Sequence, residues 1–245
     1  MESATTTRGG SPRKNWHGVP TSDNGSGPDD KGSRTENSEP SRPLVIPVDA
    51  YEVEIDEALE NHVFHILELL ELDPNSEHFK ETPRRVRELL QAFRVGSEGT
   101  LGEILKAGFE ETQDNILVVQ TQIPFKGICA HHLVPFFGTA TVGYIPRKRV
   151  VGLSKLTRLV QAAGTIAPTT QEHITNLVAD TLFHTAEPLA AGCVTKALHG
   201  CMAVRGVNAP TTWTTVSALR GQFLLNPLAR QEFLDAAGGG TNGSH

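Results

Sequence analysis

The chain is short of cysteine: Cys129, Cys193 and Cys201 are the three it has in 245 residues. So few and so scattered, they do not form a disulfide framework, and their thiols are read as reduced and free to act as metal ligands or nucleophiles. Long apolar runs are missing too. No stretch approaches the roughly 18 to 20 consecutive apolar residues of a membrane helix, and the N-terminus lacks the apolar core of a signal peptide. The expected location is the cytoplasm, with no membrane partner. Positive charge is also scarce, the formal net charge being -6. A general nucleic-acid binder shows a basic excess to meet the phosphate backbone, so nucleic acid is not an expected partner. Any anionic ligand has to be held by a local basic cluster.

Residues 1–43 are also poor in apolar side chains. Met1, Ala4, Trp16 and Val19 stand alone among Gly, Ser, Pro, Asn and charged residues. Such a segment buries too little surface to offset its ordering entropy, so it reads as a disordered extension. Residues 238–245, GGGTNGSH, read as a flexible tail. The folded unit is then 44–237.

Within it, Leu59, Val63, Ile66, Leu67 and Leu70 recur at the spacing of a helix with one buried face. ETPRRVRELLQAF predicts a second helix, with Thr82 as N-cap and Pro83 in the first turn. A short third helix is expected over 101–107. The texture then becomes β-rich in NILVVQTQI, GTATVGYIP and VVGL, with Arg147, Lys148 and Arg149 in a solvated hairpin turn. SKLTRLVQAA and TTQEHITNLVADTLFHTA read as helices. GCVTKALHGCMAVRGV and TTWTTVSAL read as strands, and LARQEFLDAA as a closing helix. Helices, strand pair, helix pair, strand pair, helix: the order describes an α+β protein built on hairpins, not alternating βαβ units.

Two knots of histidine and cysteine carry the chemistry. GICAHHLVPFFG places Cys129 before His131 and His132; ALHGCMAVRG places His199 and Cys201 near the end of an expected strand, where the spacing could put both on one face. Catalytic zinc takes three protein ligands and keeps a fourth position open, so Cys129 and one neighbouring histidine need a remote third. Spacing leaves the histidine open: on a strand Cys129 and His131 share a face, whereas in a tight turn Cys129 and His132 converge. GLSKLTRLV adds a helix N-terminus with a hydroxyl and two basic residues three apart, a plausible phosphate cradle.

ETPRRV, CAHHLVPFFGTATVGYIP, VVGLSKLTRLVQ, TQEHIT, HGCMAVRGV and RQEFL stand in the order and at the separations of the GTP cyclohydrolase I family. The resemblance covers about 56–236. It implies the tunnelling fold, antiparallel hairpins with helix pairs on one face, assembled into an oligomeric barrel that in known members is a homodecamer. It implies hydrolysis of GTP to formate and 7,8-dihydroneopterin triphosphate. By resemblance Zn2+ is held by Cys129, His132 and Cys201, and His131, His199 and Ser154 are catalytic. Gln171, Glu172, Lys155, Arg158, Arg205 and Arg85 then bind substrate, with Glu172 on guanine and Arg85 supplied by another subunit.

The chain departs from the family pattern in three places. Ala130 replaces the glutamate usual after the cysteine, GTIAPTT replaces a basic segment ahead of Gln171, and Glu88 stands where a phosphate-contacting lysine is common. A divergent paralog with altered nucleotide or product, and a non-catalytic metal-binding regulatory subunit, are the competing readings.

Overall fold

The computed structural model describes residues 52–94, 97–110 and 116–238, with backbone alone for 52–55. The extension expected over 1–43 and the tail beyond Gly238 lie outside the described residues. Two helices come first. α1 (Glu52–Leu69) buries Val63 and Leu67, while Ile66 and Leu70 of the same stripe stay 52% and 63% exposed. α2 (Thr82–Gln91) begins with Pro83 in its first turn, but Glu81, not Thr82, occupies the N-cap position, and no side chain caps the helix. Arg87 of α2 clamps the pair by binding Asp56 at 2.9 Å and Glu60 at 2.6 Å on α1.

A 3-10 turn and α3 (Leu101–Ile104) lead to β1 (Gly108–Glu110), β2 (Val118–Ile128), β3 (Pro135–Ile145) and β4 (Arg149–Val151). α4 (Leu153–Ala163) and α5 (Gln171–Ala186) follow, then β5 (Ala190–His199), α6 (Gly200–Ala203), β6 (Trp213–Gly221), α7 (Gln222–Leu225) and α8 (Pro227–Gly238). The main sheet is antiparallel in the order β2-β3-β5-β6. The α+β class and its hairpins are thus as expected from the pattern.

Side chains on these strands alternate faces with a period of two. Ala140, Val142 and Tyr144 of β3 join Ala191, Cys193 and Ala197 of β5 on one face, under Leu156, Leu159 and Val160 of α4 and Ile174, Val178 and Leu182 of α5. Each large side chain so buried contributes about 1.5 to 3 kcal/mol. The other face receives α8. There Phe233 stacks on Phe223 at 4.8 Å and lies over Gly143 and Gly192, where a Cβ would come within 2.6 and 2.7 Å of its ring. Arg220 of β6 ties the sheet to α5, donating to both carboxylate oxygens of Asp180 at 2.6 and 2.9 Å.

Two expectations are corrected. Arg147 and Lys148 are exposed, but the segment they begin is no hairpin turn, because β4 pairs with β1. Both edges of β3 are already filled by β2 and β5, and Arg149 donates to the carbonyls of Leu105 and Lys106, which holds β4 beside β1. GCVTKALHGCMAVRGV is not one strand either: it ends at His199 and turns into α6. α7 and β1 are additional elements too short for a periodic pattern to mark.

Two tests follow from this packing. The Arg220 hydrogen bonds hold the Asp180 carboxyl below its ordinary range. The resulting stability is full above that range and lost as pH falls through the depressed value, so Asp180→Asn should differ from wild type in urea midpoint at neutral pH and converge with it in acid. Gly138 lies where a Cβ would stand 1.9 Å from the Lys196 carbonyl oxygen. Backbone cannot yield as a side chain can, so Gly138→Ala should lose about 3 kcal/mol or more, read from denaturant midpoints.

Candidate metal centre and active site

The sheet ends where the histidine and cysteine knots begin. After β2 the chain makes a single helical turn, in which the N–H groups of His132 and Leu133 donate to the Cys129 carbonyl at 3.4 and 2.9 Å. Leu133 takes a left-handed φ of 53°, and the Cys129 N–H reaches the Val134 carbonyl at 3.0 Å, closing the turn before β3. In such a turn residues three apart come to one side. Cys129 Sγ lies 3.8 Å from Nδ1 of both His131 and His132.

Cys201 arrives from the other side. The expected shared strand face with His199 is not formed, because the chain turns at Gly200, packed so closely on Pro135 and Val134 that a Cβ would sit 2.6 Å from each. Cys201 therefore belongs to α6. This turn brings it to Cys129 and His132, and the ligand atoms of the three lie within 4.8 Å of one another, a group that could hold a metal ion. His131, equally near Cys129, falls outside that group. Tetrahedral zinc with bonds of about 2.3 Å to sulfur and 2.0 Å to nitrogen needs ligand atoms roughly 3.5 to 3.8 Å apart. The Cys129 to His132 distance of 3.8 Å already meets that spacing, so the donor set fits zinc. Burial and the neighbouring Cys129 hold the Cys201 thiol above its ordinary value. A metal must displace that proton, so its affinity rises with pH.

His199 stands at the end of β5, stacked on the buried Phe136 ring at 4.9 Å and 14°. Burial lowers its pKa, and the charge of nearby Glu172 opposes that shift. Its Nε2 is 2.8 Å from Gln171 Oε1. Gln171, expected among the substrate contacts, is 1% exposed, and its amide nitrogen faces Thr195 and Thr214. Glu172, next in α5, is exposed. Arg205 is also exposed, close enough to Cys201 for its charge to favour the thiolate.

The segment 164–170, one of the three departures, braces this end of the sheet. Thr169 N–H donates to the Ile128 carbonyl at 2.8 Å and its own carbonyl accepts from Ala130 N–H at 3.0 Å. Thr170 caps α5 by accepting from His173 N–H at 3.2 Å. Thr170 is a residue that sequence reasoning overlooked, although a threonine just before a helix is a standard capping signal.

Ser154, Lys155 and Arg158 are not brought here. α4 is fastened beside the start of β2 by Gln120 Nε2 donating to Thr157 Oγ1 at 2.7 Å, whereas Cys129 follows the end of β2. At about 3.3 Å per residue, Gln120 and Cys129 are roughly 25 to 30 Å apart. Arg85 is exposed on α2, between Arg84, paired with Glu81 and Glu88, and Arg87, paired with α1.

A protein-family model, GTP cyclohydrolase I, matches residues 59–238. The chain belongs to the GTP cyclohydrolase I family. It is 42% identical over 179 residues to GTP cyclohydrolase 1 of Halalkalibacterium halodurans, a match covering 73% of this chain and 94% of that one. It is 40% identical over 174 residues to GTP cyclohydrolase 1 of Campylobacter jejuni subsp. jejuni, covering 71% and 91%. Among solved structures, the apo form of the archaeosine synthase QueF-Like covers 44% of this chain at 14% identity and a TM-score of 0.37, a likeness too distant to fix the fold. No described helix of this GTP cyclohydrolase I family member is long and apolar enough to cross a membrane.

Cys201→Ser should lose bound metal while keeping the sheet, because two remaining ligands neither hold nor close the site. Elemental analysis beside far-UV circular dichroism on one preparation tests this; stoichiometric metal in the variant would remove Cys201 from the set.

Proposed function

We propose that this chain hydrolyses GTP to formate and 7,8-dihydroneopterin triphosphate. The observation that carries the reading is the Cys129, His132 and Cys201 group beside His199 and Glu172, in a chain whose relatives are named for this activity. Zn2+ is the metal proposed for that group, since two thiolates and an imidazole neutralise it and leave a fourth position open. When bound, zinc supplies the Lewis acidity that makes water nucleophilic near neutral pH.

The chain's own residues supply the rest. C8 of guanine is a weak electrophile until its ring nitrogen is protonated, and His199 and His131 are the groups that hold and return those protons. Glu172 accepts hydrogen bonds from guanine N1–H and the 2-amino group, a pair of donors that adenine does not present. Ser154 assists the rearrangement after ring opening. Arg205 of the same chain meets the triphosphate.

Ser154, Lys155, Arg158 and Arg85 reach the site from neighbouring copies. For Ser154, Lys155 and Arg158 the span of roughly 25 to 30 Å along β2 supports this, since no side chain crosses it within one chain; for Arg85 the family resemblance supports it. The active form is therefore a homo-oligomer, by resemblance a decameric barrel of the tunnelling fold. Formate release and the mass of the pterin product, after incubation of purified protein with GTP, test the reaction directly.

Glu172→Gln keeps the shape of the side chain but sets an amide donor against a guanine donor. Its cost should be on the order of 2 to 4 kcal/mol in transition-state binding, or roughly thirty- to a thousandfold in kcat/KM. Metal content and oligomer size should match wild type. Unchanged kinetics in this variant would take Glu172 out of the site.

A further inference from the structure

We infer that Gln171, Thr195 and Thr175 form a one-way hydrogen-bond relay that fixes the tautomer of His199, leaving Nδ1 as the one nitrogen through which it exchanges a proton with substrate. The inference rests on the reading of His199 as a proton-carrying group in GTP ring opening.

The direction follows from hydrogens and acceptors. Thr175 Oγ1 lies 2.7 Å from the Gln171 backbone carbonyl, which only accepts, so the single hydroxyl hydrogen of Thr175 is spent there. Thr175 Oγ1 and Thr195 Oγ1 are 2.7 Å apart, and Thr195 must therefore be the donor between them. With its own hydrogen used, Thr195 Oγ1 accepts from Gln171 Nε2 at 3.0 Å. Two carbonyl oxygens agree on which end of the amide is nitrogen: Gln171 Nε2 also faces Thr195 O at 3.2 Å and Thr214 O at 3.1 Å. Gln171 Oε1 is thereby an acceptor. The His199 Nε2 at 2.8 Å from it carries hydrogen.

Burial makes the relay rigid. Thr175 and Thr195 are 0% exposed and Gln171 is 1% exposed, so no water competes for these groups. Its anchor is a helix carbonyl, and its other end is an imidazole pinned on Phe136. A ring held this way does not flip, and in its neutral form it presents a lone pair at Nδ1. Gln171 and both threonines are positioning residues: they act on the reaction through His199.

The first test needs no turnover. In full-length wild-type protein labelled with 13C,15N-histidine, solid-state NMR should report His199 as the Nε2–H tautomer, its signals assigned by their loss in His199→Asn. A wild-type ring in the Nδ1–H tautomer overturns the relay, whereas absence of formate from the wild type would overturn only the reaction reading. Kinetics supply the second test. Thr195→Val should lower kcat about tenfold with KM for GTP unchanged, and Thr195→Ser should restore it. Gln171→Met should lower kcat about a hundredfold, again without change in KM. A raised KM at constant kcat would show Gln171 touching substrate and sink the proposal, as would wild-type kcat in Thr195→Val.

Discussion

The site depends on one row of residues across three strands: Gly127 on β2, Phe136 on β3 and His199 on β5 face each other in register. Phe136 occupies space that a side chain at position 127 would need, since a Cβ there would lie 2.5 Å from its ring. The same ring makes an edge contact with Phe125 and a stack with His199. Since a slip of one residue in β3 would turn Phe136 to the other face, this packing sets the register as much as the ladder does. Below the row, the turn after β2 and the turn after β5 are forced to meet, and the cysteines meet with them.

That construction divides the labour of the molecule by position. The Cys129, His132 and Cys201 group that could hold a metal ion, His131 and His199 are gathered at one end of the sheet. The basic helix N-terminus of α4 is built at the other end. The buried threonine and glutamine network lies under His199, and the ion pairs lie elsewhere, among helix side chains and between β6 and α5.

The departures from the family pattern take on meaning in this light. GTIAPTT carries no basic residue, yet Thr169 hydrogen-bonds both sides of Cys129 and Thr170 caps the helix bearing Gln171 and Glu172. The segment works through backbone pairing and a cap, which tolerate many side chains. Ala130 is exposed and enters that pairing through its amide alone, so a carboxylate there is not part of the scaffold. Glu88 is occupied by Arg84 on the surface of α2.

Local pattern was enough to determine the longer helices, the antiparallel class and the residue types of the candidate metal group. The 3.6-residue period of Ile174, Val178 and Leu182 and the two His/Cys knots are carried by neighbours in the chain. What local pattern left open is decided by contacts distant in sequence. Whether His131 or His132 joins the cysteines depends on a turn closed against Val134. Cys201 leaves its expected strand because Gly200 meets Pro135 and Val134. β4 finds β1 because β3 has no free edge. The amide of Gln171 turns inward because Thr195 and Thr214, on two other strands, offer it carbonyl oxygens. Periodicity records which face a residue takes, but it does not record which partner fills that face, and in this protein the partner decides the chemistry.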